Sequence, residues 1–397
     1  MDKEEDLQQV AIEEIVAGNN VFLTGGGGRG KSFTIDQITD DSTIKCAPTG
    51  NAALNIGGMT CHKLFGLPFG VATDEDRITI SKTMRNVLGN SVVKRIVIDD
   101  ISLLRIDNLE LINLKLQALK CNNKPFGGLQ MVLVGDFFQV DSVVSSYDEK
   151  EFYRNYDSSF CFKSKVWNFK TIELKKPYRN TNKRQLRILE SIRRKDKHYK
   201  KAVDIINNES REYDYTKPVL HLCCYKKDAK VINKIWYDRI EDKEVKYLAY
   251  NPENWKGSEL PVESTVRLKL GSRVLIKANC PKGDYVNGSR GIVVGLQPDK
   301  VLVKLDNGKE VSVESNQWDK YKYSTVGGKL SKEIESSFFQ IPITLGWAVT
   351  VHSIQGSTLD DVAIDFGKGC FTHGQAYVAL SRVRDLKNIA LVNEIMY

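Results

Sequence analysis

The stretch "VFLTGGGGRGKS", residues 21–32, decides the fold. Val21, Phe22 and Leu23 lead into Thr24 as a short strand, and the "SFTIDQI" that starts at Ser32 can run on as a helix. Between them Gly25, Gly30, Lys31 and Ser32 match the spacing G-x-x-x-x-G-K-[ST], with Gly28 inside the loop. A loop between strand and helix turns several backbone N–H groups inward. Residues without a Cβ let that backbone wrap closely around triphosphate oxygens. Lys31 is then placed to bridge the β- and γ-phosphates of ATP, and Ser32 to ligate Mg2+. The competing reading is a flexible glycine turn with an exposed lysine. It leaves the coincidence of strand, spacing, lysine and serine unexplained.

Such a loop needs a carboxylate on the magnesium side, from a second strand. "RIVIDDIS", residues 95–102, supplies Asp99 to hold the metal through water and Asp100 to orient or deprotonate the attacking water. Taken alone, two acids at a strand end fit a solvated turn equally well. The phosphate loop upstream favours the catalytic reading.

Bulk composition sets the class. The chain has 397 residues, 41% hydrophobic and 27% charged, which is enough for two or three globular domains. Its net charge of +8 favours a polyanionic partner. The eight cysteines are scattered without a C-x-x-C pair, so neither a zinc site nor a disulfide framework is expected, and a reducing compartment fits. The acidic start "MDKEEDLQQ" and the lack of a membrane-length apolar run lead to the expectation of a cytoplasmic protein, neither secreted nor membrane-bound. If the source is a phage or virus, the cytoplasm is the host's.

Further stretches follow in a fixed order: "CAPTGNAALNIGGMTCHKLFG" (46–66), "VIDDIS" (97–102), "LVGDFFQV" (133–140), "PYRN" (177–180), "LGWAVTVHSIQGSTLD" (345–360) and "GQAYVALSRVR" (374–384). In this order they resemble motifs Ia/Ib, II, III, IV, V and VI of superfamily 1B DNA helicases of the Pif/RecD/Dda type, phage- or virus-like in their compactness. The resemblance covers nearly the whole chain. It implies an ATP hydrolase that translocates 5′ to 3′ on single-stranded DNA and opens forked duplex DNA. It also implies activity as a monomer and contacts to a replisome or a single-strand-binding protein, in DNA replication, recombination or repair.

Individual residues take their roles from those motifs. Gln8 or Gln9 resembles the Q motif, whose amide can give and accept hydrogen bonds on the adenine edge; an exposed helix face explains either residue equally well. Tyr178 resembles the ring that stacks on adenine, and Arg179 the guanidinium that reaches the γ-phosphate. Arg382 is the second such arginine, supplied from the other lobe across a cleft. Permanently charged, planar guanidinium suits charge that spreads over phosphoryl oxygens. Gln139 is the expected sensor of γ-phosphate and water. Thr49, Gly50 and Asn51 are expected to hold nucleic-acid phosphates. His62, His352, Ser353, Gln355 and Thr358 resemble strand-contacting positions of motifs Ib and V.

Charge is concentrated between Lys163 and Lys201, with fifteen Lys or Arg against three Asp or Glu. Such a segment neutralises phosphates. "KRQLRILESIRRK" also has helical apolar spacing, so a solvated basic face explains it as well.

The motif order implies an α/β fold of two RecA-like P-loop domains. Domain 1A covers 1–155, with a small 1B pin or wedge insertion at about 66–92, and domain 2A covers 156–240 plus 340–397. Residues 241–339 read as short strands with turns at Asn287-Gly288 and Asn307-Gly308, matching the SH3-like 2B insertion of the family.

Four departures from the family pattern stand out. Asp100 replaces the usual glutamate and is shorter by one methylene, a retreat of about 1 Å that can cost about a hundredfold in rate. Arg29 stands in the phosphate loop where threonine is usual, to aid phosphate binding or to obstruct the cleft. Asp141 and Ser142 replace a pair of prolines after motif III, and motif V reads "HSIQG" where "HKSQG" is common, which removes one basic side chain. An active but slow ATPase is expected. The alternatives are a superfamily 1 RNA helicase and a nucleotide-dependent nucleic-acid-binding scaffold with weak ATPase.

Overall fold

The computed structural model describes residues 6–68, 70–89, 91–139, 142, 144–145, 148–178, 182–214, 219–250, 255, 260–326, 329–351, 359, 361–367 and 374–395, without the side chains of 51, 74 and 321–332. The chain forms two compact units. One is Met1–Tyr178 with Asp319–Ser336, the other Arg179–Trp318 with Ser337–Tyr397.

The first unit is built on six parallel strands: β1 (Val21–Thr24), β2 (Thr43–Ala47), β3 (Met59–Thr60), β4 (Arg95–Ile98), β5 (Gln130–Val134) and β6 (Lys170–Glu173). Their order is β3-β2-β4-β5-β1-β6. All four residues of β1 are buried because helices cover both faces of the sheet, so the strand reads as one apolar run. The strand period of two then sorts them. Val21 and Leu23 pack with Ala11, Ile15, Ile35 and Ile38 of α1 (Leu7–Val16) and α2 (Lys31–Ile38). Phe22 packs on the opposite face, with Leu64, Met84, Leu109 and Ile112. Because β5 lies between β4 and β1, the segments leaving these three strands emerge side by side at the carboxyl edge. That edge is where open parallel sheets bind ligands.

On the first sheet, α3 (Gly50–Asn55) follows β2 and α4 (Cys61–Phe65) follows β3. Two short helices fill the expected insertion, α5 (Asp74–Ile78) and α6 (Lys82–Leu88). Thr73 and Asp76 close a reciprocal capping box on α5. Met84, Val87 and Leu88 of α6 are buried in the main core. The long helix α7 (Ile106–Lys120) follows motif II. The lobe also runs further than 155: β6 pairs with β1 along its whole length, which brings 170–178 into the first unit.

The second unit has a parallel sheet in the order Ala348–Thr350, Leu220–Cys223, Val362–Asp365, Ile389–Leu391. The helix Lys183–Arg194 buries Ile188, Leu189 and Ile192. Arg184 pairs with Glu209, and the buried Arg193 and exposed Arg194 both pair with Glu190, so these basic residues are largely matched within the unit. An antiparallel sheet of five strands is the insertion: Arg273–Ile276, Arg290–Leu296, Lys300–Leu305, Glu310–Glu314 and Ile343–Leu345. Gly288 (φ 98°) and Gly308 (φ 85°) make its predicted turns. The strand 343–345 carries this sheet past residue 339. A further pair, Asn316–Val326 with Lys329–Gln340, forms a two-stranded ribbon that the sequence reading did not separate from the barrel.

Candidate nucleotide site

The loop after β1 needs its glycines for measurable reasons. Gly25 has φ 140°, and a Cβ there would lie 2.6 Å from the Leu174 carbonyl oxygen. Gly30 has φ 88°, and its Cβ would meet Gln8 Nε2 at 2.7 Å and the Tyr178 ring at 3.2 Å. Gly28, also at positive φ (72°), accepts a hydrogen bond from the Tyr178 amide at 3.0 Å. Lys31 is the first residue of α2, and its Nζ donates to the carbonyls of Gly25 (2.6 Å) and Gly26 (3.2 Å). The ammonium is thus held over the loop at a helix N-terminus, where backbone N–H groups and the helix dipole both favour an anion. Ser32 is exposed on the same first turn.

The structure separates Gln8 from Gln9. Gln8 Nε2 donates to the Gly30 carbonyl (3.1 Å) and to Thr34 Oγ1 (3.2 Å), while its Oε1 accepts from the Tyr178 hydroxyl (3.1 Å). A carbonyl can only accept, so the amide orientation follows from this network. Both N–H donors of Gln8 are engaged, which leaves its oxygen as the group able to accept from an adenine amino group. Gln9 instead donates to Glu13 on the exposed face of α1. Gln8, Arg29, Leu174, Lys176 and Tyr178 line a cleft of about 460 Å³, within the usual range for small-molecule sites. Tyr178 is 54% exposed, a ring offered at the surface, with Lys176 Nζ 5.4 Å from its centre. Arg29 therefore forms part of the cleft wall.

Motif II follows β4, where the Asp99 amide donates to the Cys46 carbonyl. Burial pushes the Asp99 carboxyl well above the ordinary carboxylate range and the neighbouring Asp100 adds to it, while Lys31 and Lys45 pull the other way. A half-buried carboxylate in this condition is a group that a divalent cation relieves, so Asp99 fits the magnesium expected beside Ser32. Asp100 is in the left-handed region (φ 49°), and its amide donates to Asp99 Oδ1 at 2.9 Å.

Motif III follows β5. A Cβ on Gly135 would lie 2.9 Å from Ile101 Cγ2, so the glycine lets the ends of β4 and β5 close together. Gln139 is buried and its Nε2 donates to Asp136 Oδ2 at 3.0 Å, which fixes the side chain. Phe137 packs with Phe22, Phe162 and Trp167 and belongs to the core.

The other expected residues fall as follows. Thr49 caps α3, its hydroxyl accepting from the Ala52 amide, with Gly50 as the first helical residue and Asn51 next to it. His62 is half-buried on α4, and burial, with Arg105 nearby, lowers its pKa, so it stands as a neutral hydrogen-bonding group at neutral pH. Arg382 is buried in the second unit, with Nε donating to the Val378 carbonyl and Nη2 to Ser381 Oγ. Arg179, His352, Ser353, Gln355 and Thr358 lie outside the described residues. Sequence reading missed Thr34, which seats Gln8, and Lys45, which faces Asp99 electrostatically. Thr34 lies one helical turn beyond Lys31 and was findable by spacing; Lys45 gave no signal beyond its strand position.

A phosphate loop, a metal-side carboxylate and a glutamine-bearing third segment, on adjacent strand ends of a RecA-like sheet, define a P-loop nucleotide hydrolase. The comparisons with known proteins narrow this class. The PIF1-like helicase family matches residues 3–208. The ATP-dependent DNA helicase Pif1 of Bdellovibrio bacteriovorus is 31% identical, over 97% of this chain and 87% of its own length. Human ATP-dependent DNA helicase PIF1 is 29% identical over 97% of this chain, which spans 60% of the human protein. Pif1 from Bacteroides sp, solved in complex with ADP-AlF4, superimposes with a TM-score of 0.87 at 32% identity, covering 100% of this chain and 93% of that one. The chain belongs to the PIF1-like helicase family, within superfamily 1B.

Among the described residues no helix is long and apolar enough to cross a membrane.

Proposed function

We propose that this chain is an ATP-dependent DNA helicase that moves 5′ to 3′ along single-stranded DNA and separates forked duplex. The observation that carries the reading is the convergence of Lys31, Asp99 and Gln139 at three adjacent strand ends, beside the cleft bounded by Gln8 and Tyr178. ATP is the substrate, its base against Tyr178 and its phosphates on the loop. Ser32 and Asp99 are the residues to hold magnesium, which when bound neutralises charge on the β- and γ-phosphate oxygens. Gln139, fixed by Asp136, positions the attacking water, and Asp100 takes up its proton. Arg179 and Arg382 are the arginines assigned to the γ-phosphate.

In this reading the first unit is domain 1A with a short 1B element, the second contains 2A, and the antiparallel sheet is 2B. Thr49, Gly50, Asn51 and His62 on the first lobe, and His352, Ser353, Gln355 and Thr358 on the second, contact the strand. The protein works as a monomer in the cytoplasm, with a replisome or a single-strand-binding protein as partner.

The test uses forked duplexes that carry one single-stranded tail. Forks with a 5′ tail are opened in an ATP-dependent manner, and forks with a 3′ tail alone stay closed. Equal opening of both, or of the 3′ form alone, removes the polarity; opening of neither removes the helicase assignment.

A further inference from the structure

Two buried cations, one capping α7 and one within it, are unused by the chemistry above. Lys115 and Arg105 are 1% and 7% exposed, a rare state for charged residues unless every donor has a purpose. Lys115 Nζ donates to the Phe65 carbonyl (3.2 Å) and the Gly66 carbonyl (2.7 Å), at the end of α4. Arg105, at the start of α7, lies against Asp107 through two bonds of 2.9 and 2.6 Å, and its Nη2 also donates to the Gly70 carbonyl at 2.9 Å. Its Nη1 stands 3.8 Å from Asp148, in the segment after motif III, and its guanidinium lies over Phe152. Three carbonyls at one end of the inserted loop are therefore gripped from α7.

The other end of the loop meets the first. A Cβ on Gly66 (φ 62°) would lie 2.9 Å from Ser81 Cβ, so the chain leaves and re-enters at one stem, capped by Lys115 3.7 Å away. Ser81 then starts α6, whose apolar face is sunk in the core. The described residues between 67 and 80, with α5 among them, form a segment closed at its base and anchored twice, and Arg105 lies only five residues beyond Asp100.

We propose that Arg105 and Lys115 are positioning residues that hold the 67–80 loop in one place on the first lobe, so that strand separation depends on them and ATP hydrolysis does not. This rests on the helicase reading. A loop that parts two strands must resist the duplex it meets, and a loop free to swing yields instead. The two cations supply that resistance through charge-assisted bonds to backbone, which no side-chain change in the loop itself can relax.

The experiment compares the full-length chain with Lys115→Met and Arg105→Gln in three measurements: DNA-stimulated ATP turnover, strand separation per ATP consumed, and amide hydrogen exchange. Each variant removes buried charge-assisted bonds, so exchange across 67–80 accelerates about tenfold or more while exchange across 95–100 is unchanged. Turnover stays within about twofold and strand separation per ATP falls about tenfold, an uncoupling that a general loss of stability does not produce. Arg105→Lys keeps a charge against Asp107 but cannot span Asp107 and Gly70 together; it restores folding if Arg105→Gln loses it, and remains uncoupled. Unchanged exchange at 67–80, or turnover and strand separation falling in proportion, overturns the proposal. A wild type that hydrolyses ATP but separates no strands overturns the helicase reading and with it the role in separation, whereas the exchange result still decides whether the two cations anchor the loop.

Discussion

Lys31→Ala lowers DNA-stimulated ATP turnover by about a hundred- to a thousandfold, the cost of removing one preplaced group from the charge that develops in a transition state. The lysine is preplaced in a literal sense. Its Nζ is held by two loop carbonyls at the start of α2, so it does not have to be recruited from solvent when phosphates arrive. The same geometry predicts little damage to the fold. Lys31 is half-buried, its partners are backbone oxygens of the loop, and the apolar residues of α2 that face the core are Ile35 and Ile38. A thermal midpoint within a few degrees of wild type should therefore accompany the loss of turnover. A variant that keeps more than about a tenth of the activity contradicts this placement of the phosphates.

Asp100→Glu is expected to raise turnover, by up to about a hundredfold, because one methylene restores roughly the 1 Å of reach that a shorter acid forfeits. Two effects compete at this position. The backbone is left-handed there (φ 49°), which aspartate tolerates better than glutamate, so the substitution costs about 1 kcal/mol of stability. That cost falls on the folded state as a whole and lowers the melting temperature by a few degrees for a protein of this size. It does not act selectively on the transition state, so turnover still rises. Steady-state ATPase rates and melting curves of the two proteins separate the effects. A silent wild type rescued by Asp100→Glu makes the chain a nucleotide-dependent scaffold, whereas equal rates mean that the shorter carboxylate already reaches the attacking water.

The parts of the site that rest on backbone geometry were legible in the sequence, because only glycine survives where the loop presses on Leu174, Gln8 and Tyr178. The choice between Gln8 and Gln9 was not. Adjacent residues on a helix point about 100° apart, and which one faces the loop depends on how α1 sits on α2. The boundary of the first lobe was obscured because β6, "KTIE", lies in a strongly basic stretch with its two lysine-side residues exposed, and only pairing with β1 identifies it. In the insertion, Met84, Val87 and Leu88 had helical spacing, yet nothing local says that this face completes the main core. Arg105 and Lys115 were invisible for the opposite reason. Charged residues on a helix are read as solvent-facing, and their burial is revealed only by the carbonyls they hold.

The most direct test of an ATP-driven motor on DNA is the steady-state rate of ATP hydrolysis by the wild-type chain, alone, with single-stranded DNA and with single-stranded RNA of the same length. Stimulation by DNA well above that by RNA is the predicted result. A rate that neither nucleic acid changes contradicts the account, and stimulation by RNA alone assigns the chain to RNA instead.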